Sequence, residues 1–354
     1  VAFHLQRLGL DMEHEVVIVD RGPTTGGAWQ FRWPALRLGS AHRVHDLPGM
    51  PEMGLRFDDA DRGRPAKDVV VEYYRRYEEH YGLHVHRPVA VVAVRDVGGE
   101  LLVTLRSPVG GEVEIRTELL VNATGTWGAP FVPWYPGRDS FRGRQVDTTE
   151  YRAAEDFAND DVIVVGGGTT AVGFLLELEG VARSTRWYTR RPVDWLEHGE
   201  LDLEAATAAV AKQDEAARAG SALPSIVSGT GIPKTRRVRS GIDRGVLLRH
   251  PMFARIETDA VIDQDGTQHH ADAILWATGF RPELRHLAPL RLRERAGGML
   301  VGQGASGRDP RLFFAGYGPQ ASTIGANRAG RQIARQVVAA LSTKPAATSR
   351  DGDA

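Results

Sequence analysis

Three observations along the 354-residue chain predict an α/β fold. Short runs rich in β-branched and aromatic residues (Glu15–Asp20, Asp161–Val165, Leu312–Ala315) alternate with segments of helical periodicity. One of them, Asp161-Val162-Ile163-Val164-Val165, runs into Gly166, Gly168 and Ala171 in the spacing G-x-G-x-x-A, followed by the apolar stretch Val172-Gly173-Phe174-Leu175-Leu176. Two further strand-like runs end in Ala-Thr-Gly, at Ala123-Thr124-Gly125 and at Ala277-Thr278-Gly279-Phe280. A strand, a glycine turn and an apolar helix form a dinucleotide-binding unit. The expected architecture is therefore α/β, with two Rossmann-like dinucleotide-binding domains of three layers each.

The elements follow in order. The chain opens in a helix at Val1–Leu5 and reaches a short buried strand at Glu15–Asp20. Lys67 to Gly82 reads as a helix, with Val69, Val70, Tyr73, Tyr74 and Tyr77 on or near one face. Val89–Val94, Leu101–Leu105 and Val113–Ile115 are separated by glycine pairs at 98–99 and 110–111, which predicts an antiparallel meander. Pro130 to Pro136 is a proline- and aromatic-rich crossing. An Ala/Glu-rich helix over about 202–219 lies in an apparent insertion, 196–232, and a last helix runs from about Thr323 to Leu341. These features divide the chain into a first part at 1–135, an inserted domain at 136–276, a return at 277–342 and a disordered tail at 343–354.

Composition narrows the function. Hydrophobic content of 42%, charged content of 25% and a net charge of −1 describe an ordinary globular protein without a global field for nucleic acid. The chain has no cysteine, which excludes disulfides, thiolate nucleophiles, Cys-ligated zinc and a C-x-x-C redox pair. No apolar run approaches the ~20 residues of a membrane span. The expected compartment is the cytoplasm, and the oligomeric state is open.

In the complete fingerprint, Gly166 permits the tight turn and Gly168 admits a diphosphate close to the backbone. Ala171 lets helix and strand pack closely, and Thr169 and Thr170 open the helix whose N-terminal amides face the anion. About twenty residues on, where an acidic residue would hold a ribose 2′-hydroxyl, the chain has Thr189-Arg190-Arg191. Guanidinium groups there match a 2′-phosphate, so NADPH is expected in preference to NADH. In the first unit, Asp20 ends its strand where a ribose-binding carboxylate belongs. By the register of the second unit, the matching glycines of the first would fall roughly five to eight residues before Val1, so the chain is expected to begin inside that unit.

Gly26-Gly27-Ala28-Trp29, followed by Trp33-Pro34-Ala35-Leu36-Arg37-Leu38, the two Ala-Thr-Gly turns and Phe313-Phe314-Ala315-Gly316-Tyr317-Gly318 with Ser322-Thr323-Ile324-Gly325 occur in an order that resembles the class B flavin monooxygenases. The family includes flavin-containing, Baeyer–Villiger and N-hydroxylating enzymes, and the resemblance covers nearly the whole chain. It implies an FAD domain carrying an inserted NADP domain, with FAD and NADPH as cofactors and O2 and a small organic molecule as substrates. FAD would be reduced by NADPH and would oxygenate the substrate through a C4a-(hydro)peroxyflavin. The FAD contacts implied are Asp20, Gly27, Trp29, Arg37, Leu38, Val89, Ala123, Thr124, Gly125, Ala277, Thr278, Gly279, Tyr317 and Thr323. Those of NADPH are Gly166, Gly168, Thr169, Thr170, Arg190 and Arg191.

The chain also departs from the family. Its motif F-x-G-x-x-x-H-x-x-x-W/Y is met by Phe141, Gly143 and Tyr151, but Asp147 stands where histidine belongs. Tyr317 replaces an acidic residue common in relatives, and the aspartate of Baeyer–Villiger enzymes has no counterpart. No catalytic acid or base is assignable; His42, Arg43 and His45 lie in a loop able to approach a flavin. Two alternatives stand beside the monooxygenase: an NADPH-dependent flavin reductase serving another acceptor, and a non-enzymatic NADP-binding protein that has lost FAD.

Overall fold

The computed structural model describes residues 1–41, 44–197, 203–224, 231–321 and 325–343. Among them are six α-helices: α1 (Ala2–Arg7), α2 (Ala66–Tyr81), α3 (Thr169–Leu178), α4 (Leu203–Arg218), α5 (Arg236–Asp243) and α6 (Ala326–Ser342). Thr323, His42, Arg43 and the tail from 344 lie outside the described residues.

The β-branched run at Asp161–Val165 is the middle of a five-stranded sheet. Its strand order is Arg249–Pro251, Ser184–Thr189, Asp161–Val165, Ala273–Trp276, Arg144–Asp147, with all neighbours parallel. A strand covered on both faces needs apolar side chains at every position, and the period of two sorts them. Val162 and Val164 pack with Phe174, Leu175 and Leu178 of α3, together with Trp187 and Leu275. Ile163 and Val165 face the other way, against Tyr188, Phe253, Val261, Ile274 and Trp276. That second face is covered by an antiparallel ribbon of Arg255–Ile256, Ala260–Ile262 and Gln268–His270. Phe174, Leu175 and Leu178 are fully buried, and each stabilises the layer by about 1.5–3 kcal/mol.

The second assembly gathers both ends of the described chain. Leu120–Asn122 lies parallel to Leu312–Phe314, extended by the hairpin Val301–Gly302 and Ala305–Ser306. α1 and α6 pack beside it through Leu5, Ile333, Ala334 and Val337, joined by Phe313 and Val121. The predicted meander forms at Ala90–Asp96, Leu101–Ser107 and Gly111–Thr117. α2 buries Val69, Val70 and Tyr77, as its periodicity requires. One expectation needs correction: of Glu15–Asp20, only Ile18–Val19 is strand, neither residue is fully buried, and Val17 is 60% exposed. Among the described residues this strand pairs only with Val85–His86, so its other edge and one face lack the cover the apolar pattern anticipates.

The segment at 196–232 also differs from a simple insertion in the parallel-sheet domain. Ile232 and Pro233 return to pair with Trp195 and Leu196, but α4 reaches across to the Gly318–Ala321 turn and the Val301–Gly302 strand. Ala217 is buried there with Leu101, Phe314 and Tyr317. The helix therefore ties the two assemblies together.

Candidate functional site at the junction of two nucleotide units

Gly166 leaves its strand at φ 140°, and a Cβ at this position would collide with the Ala277 carbonyl. No L side chain fits, so the glycine is required by both conformation and space. The turn is fixed by Gly166 N donating to Tyr188 O (3.0 Å) and Trp187 Nε1 donating to Gly166 O (2.7 Å). Gly168 is the N-cap of α3 and brings no capping side chain. The first-turn amides at Thr169 and Thr170 are thus unclaimed by side chains, the arrangement that receives an anion. At the end of the neighbouring strand, Thr189 Oγ1 donates to Arg191 O (2.6 Å) and accepts from Arg249 Nε (2.8 Å). Arg190 and Arg191 are exposed and form no ion pair among the described residues.

In the first unit Asp20 and Val89 are adjacent. Asp20 N donates to His86 O (3.0 Å), and Val89 N donates to Asp20 O (2.8 Å). The Asp20 carboxylate accepts from Gly22 N (2.9 Å) and from Arg87 Nε (2.8 Å), and Arg87 also grips Glu78 through two bonds of 2.7 and 2.8 Å. Beside this pair opens a cavity of about 450 Å³ lined by Arg21, Pro88, Ala90, Arg106, Ser107 and Glu112.

The remaining motif turns converge between the units. Ala277 N donates to Val165 O (2.8 Å), which sets the second Ala-Thr-Gly turn against Gly166. Thr278 Oγ1 donates to Phe131 O, and Phe131 N donates to Gly279 O (2.9 Å). In the first Ala-Thr-Gly turn, Thr124 Oγ1 donates to Glu283 O (2.6 Å) and Glu283 N donates to Gly125 O (2.9 Å). Residues 123–131 and 277–283 are thereby laced side by side, and Trp127 stacks on Phe280 at 5.2 Å. Gly26 and Gly27 take φ 100° and 52°, turning the chain so that Trp29 approaches this junction from the third side. Leu38 N donates to Arg64 O (3.0 Å). Leu38 is buried on the wall of a second cavity of about 360 Å³, together with Ala41, Val44, Phe57, Asp58 and Arg62. Arg37 is exposed and bridges to Pro65 through its backbone.

Tyr317 does not offer its side chain to this junction. Its hydroxyl accepts from Met299 N (2.7 Å), and its ring packs on Phe314 in the core. The residue expected to lie against a flavin side chain is turned inward because a backbone donor claims it.

Asp147 has a local role. Its Oδ1 accepts from Thr149 N (2.7 Å) and Thr149 Oγ1 (2.6 Å), closing the turn that delivers Tyr151. Phe141 is buried, and a Cβ on Gly143 would strike the Asp272 carbonyl and the Phe141 ring. The frame around Asp147 is therefore a packing device.

Two residues that sequence reasoning passed over lie at the joint between the units. Glu177 on α3 accepts from Trp33 Nε1 (3.0 Å) and from Tyr151 OH (2.9 Å). Trp33, Tyr151 and Phe174 form an aromatic cluster around it, with ring centroids 4.0–5.7 Å apart. Burial pushes the Glu177 carboxyl above the ordinary range, although both donors pull it down. The other is Arg32, immediately before Trp33.

With this geometry in place, comparison with known proteins identifies the class. The family model for pyridine nucleotide-disulphide oxidoreductases matches residues 1–207. The flavin-containing monooxygenase of Stenotrophomonas maltophilia is 30% identical and superposes with a TM-score of 0.76 over 96% of this chain and 94% of that one. A doubly substituted form of it reaches 0.78. An uncharacterised oxidoreductase of Bacillus velezensis is 21% identical over 86% of this chain and 85% of its own length. The chain belongs to the pyridine nucleotide-disulphide oxidoreductase family and, within it, to the flavin-dependent monooxygenases. It is an oxidoreductase of two dinucleotide-binding domains, and the cofactors of this type of enzyme are FAD and NADPH. No helix among the described residues is long and apolar enough to cross a membrane.

Proposed function

We propose that the protein is an NADPH-dependent monooxygenase of small organic molecules. Asp20 and Val89 would hold the adenosine end of FAD, and the turns at Gly26–Trp29, Ala123–Gly125 and Ala277–Gly279 would line its ring. The observation that supports the proposal is the lacing of the two Ala-Thr-Gly turns to each other, with the second held against Gly166. FAD, when bound, supplies hydride acceptance and oxygen activation; the chain supplies binding, orientation and exclusion of water.

The amides of Thr169 and Thr170 at the α3 N-terminus would hold the diphosphate of NADPH, and Arg190 and Arg191 would hold its 2′-phosphate. Thr189 orders that corner by bonding both Arg249 and the Arg191 carbonyl. The inserted domain is residues 136–276 by sequence, held to the rest through Glu177 and α4. The chain contains no cysteine, so a thiol–disulfide relay on the protein has no group to carry it.

The test is the fate of oxygen in FAD-loaded protein given NADPH and a panel of amines, sulfides and ketones. A monooxygenase transfers one labelled oxygen atom from O2 to product. Turnover of NADPH with hydrogen peroxide as the sole oxygen product, across the whole panel, would refute the proposal in favour of a reductase.

A further inference from the structure

The mouth between the units contains a cation that the fold leaves without an acceptor. Arg32 ends the Gly27–Phe31 turn, and its guanidinium lies over the Trp127 ring, 4.3 Å from the centroid, and 5.7 Å from that of Trp29. Its Nε is enclosed and has no hydrogen-bond partner. Among the described residues no carboxylate pairs with the group. Burial alone pulls its pKa down to about 10, with no neighbouring charge contributing. Aromatic faces stabilise a cation, but they do not satisfy the directional N–H donors of a guanidinium. A buried charge is retained where something pairs with it.

The position says what that is. Trp127 follows the first Ala-Thr-Gly turn and stacks on Phe280, which follows the second. Trp33, the next residue, packs on Phe174 of α3 at 5.1 Å. Arg32 therefore stands beside the Gly26–Trp29 turn and the two Ala-Thr-Gly turns, the second of which is held against Gly166. The ligand group passing there must be anionic, and a guanidinium matches phosphate oxygens in a planar, two-pronged geometry.

We infer that Arg32 is a diphosphate-binding residue: its guanidinium, held between Trp29 and Trp127, receives the diphosphate bridge of a bound dinucleotide. The inference rests on the reading of the junction as an FAD and NADPH site. It adds an anchor separate from Arg190 and Arg191, which act on the 2′-phosphate alone.

The experiment compares wild type with R32Q and R32K. Calorimetry gives the Kd of NADP+ and of 2′-AMP, which has the 2′-phosphate but no diphosphate; FAD content is measured after dialysis. If Arg32 serves NADP+, R32Q weakens NADP+ about tenfold or more, leaves 2′-AMP unchanged, and R32K recovers part of the loss. If it serves FAD, R32Q loses FAD on dialysis while NADP+ binding holds. Ligand-free R32Q should unfold at the same temperature as wild type or higher, because a partly buried, unpaired charge has been removed. Unchanged NADP+ and FAD binding in R32Q overturns the inference, as does an effect confined to the KM of a carboxylate-bearing substrate. Failure of wild type itself to bind NADP+ or FAD would instead overturn the underlying reading of the site.

Discussion

Glu177→Ala isolates the joint between the two nucleotide units. The carboxylate of Glu177 accepts from Trp33 Nε1 at 3.0 Å and Tyr151 OH at 2.9 Å, and these donors come from opposite sides of the joint. Trp33 is 4% exposed and Tyr151 is 1% exposed, so water cannot replace the lost acceptor. A buried donor left unmade costs about 1–3 kcal/mol. Two of them give a destabilisation of about 2–6 kcal/mol, a large part of the stability of a typical protein.

Glu177→Gln keeps the size and one acceptor oxygen, which Trp33 can use, while the Gln amide donates to the Tyr151 hydroxyl. Its cost should stay near 1 kcal/mol. Denaturant unfolding followed by tryptophan fluorescence measures both. The pH dependence provides a second check. Because the folded-state pKa of Glu177 is raised above 4.5, the folded protein binds this proton more tightly than the unfolded chain. The associated stability is fully present below the unfolded pKa and is lost as pH rises through the folded one. The stability difference between wild type and Glu177→Gln should therefore shift against wild type as pH rises across that window. An Ala variant within about 0.5 kcal/mol of wild type, below the surface-substitution scatter, would refute the account of this joint.

Two further outcomes follow from the same geometry. Substituting Arg190 and Arg191 together by Ser removes two exposed guanidinium groups, so NADPH should weaken by roughly 10- to 100-fold while NADH changes little. Equal loss for both cofactors would remove the 2′-phosphate assignment. Gly166→Ala places a Cβ against the Ala277 carbonyl at φ 140°. Thermal unfolding should report a loss of at least about 1–3 kcal/mol, and calorimetry a loss of NADP+ binding; a wild-type melting point would show that the turn can relax.

The parts of the fold that were legible in the sequence are those with a local physical cause. The Gly166 turn, the Asp161–Val165 strand and the glycine-separated meander are dictated by conformation or by residue pattern, and each formed where expected. The buried strand at Glu15–Asp20 was over-read because cover is a tertiary property, and Ile18–Val19 has one partner strand among the described residues. α4 was placed correctly along the chain, but its packing partner lies far away in sequence at Gly318–Ala321.

At the site, glycines and Ala-Thr-Gly turns are readable because backbone geometry demands them. Glu177 was not, since its partner Trp33 is 144 residues distant. Arg32 carries no periodic signal either; only the three-dimensional absence of an acceptor sets it apart. Tyr317 illustrates the converse, a motif position whose side chain is diverted by one backbone donor at Met299.

The central claim, that electrons enter at the Gly166 unit and reach a flavin seated against it, is tested most directly by an anaerobic titration of FAD-loaded protein with NADPH. The account predicts that NADPH bleaches the visible absorbance of the oxidised flavin stoichiometrically, and that NADH does so only at much higher concentration. Flavin that remains oxidised under NADPH, while a chemical reductant bleaches it, would contradict the account.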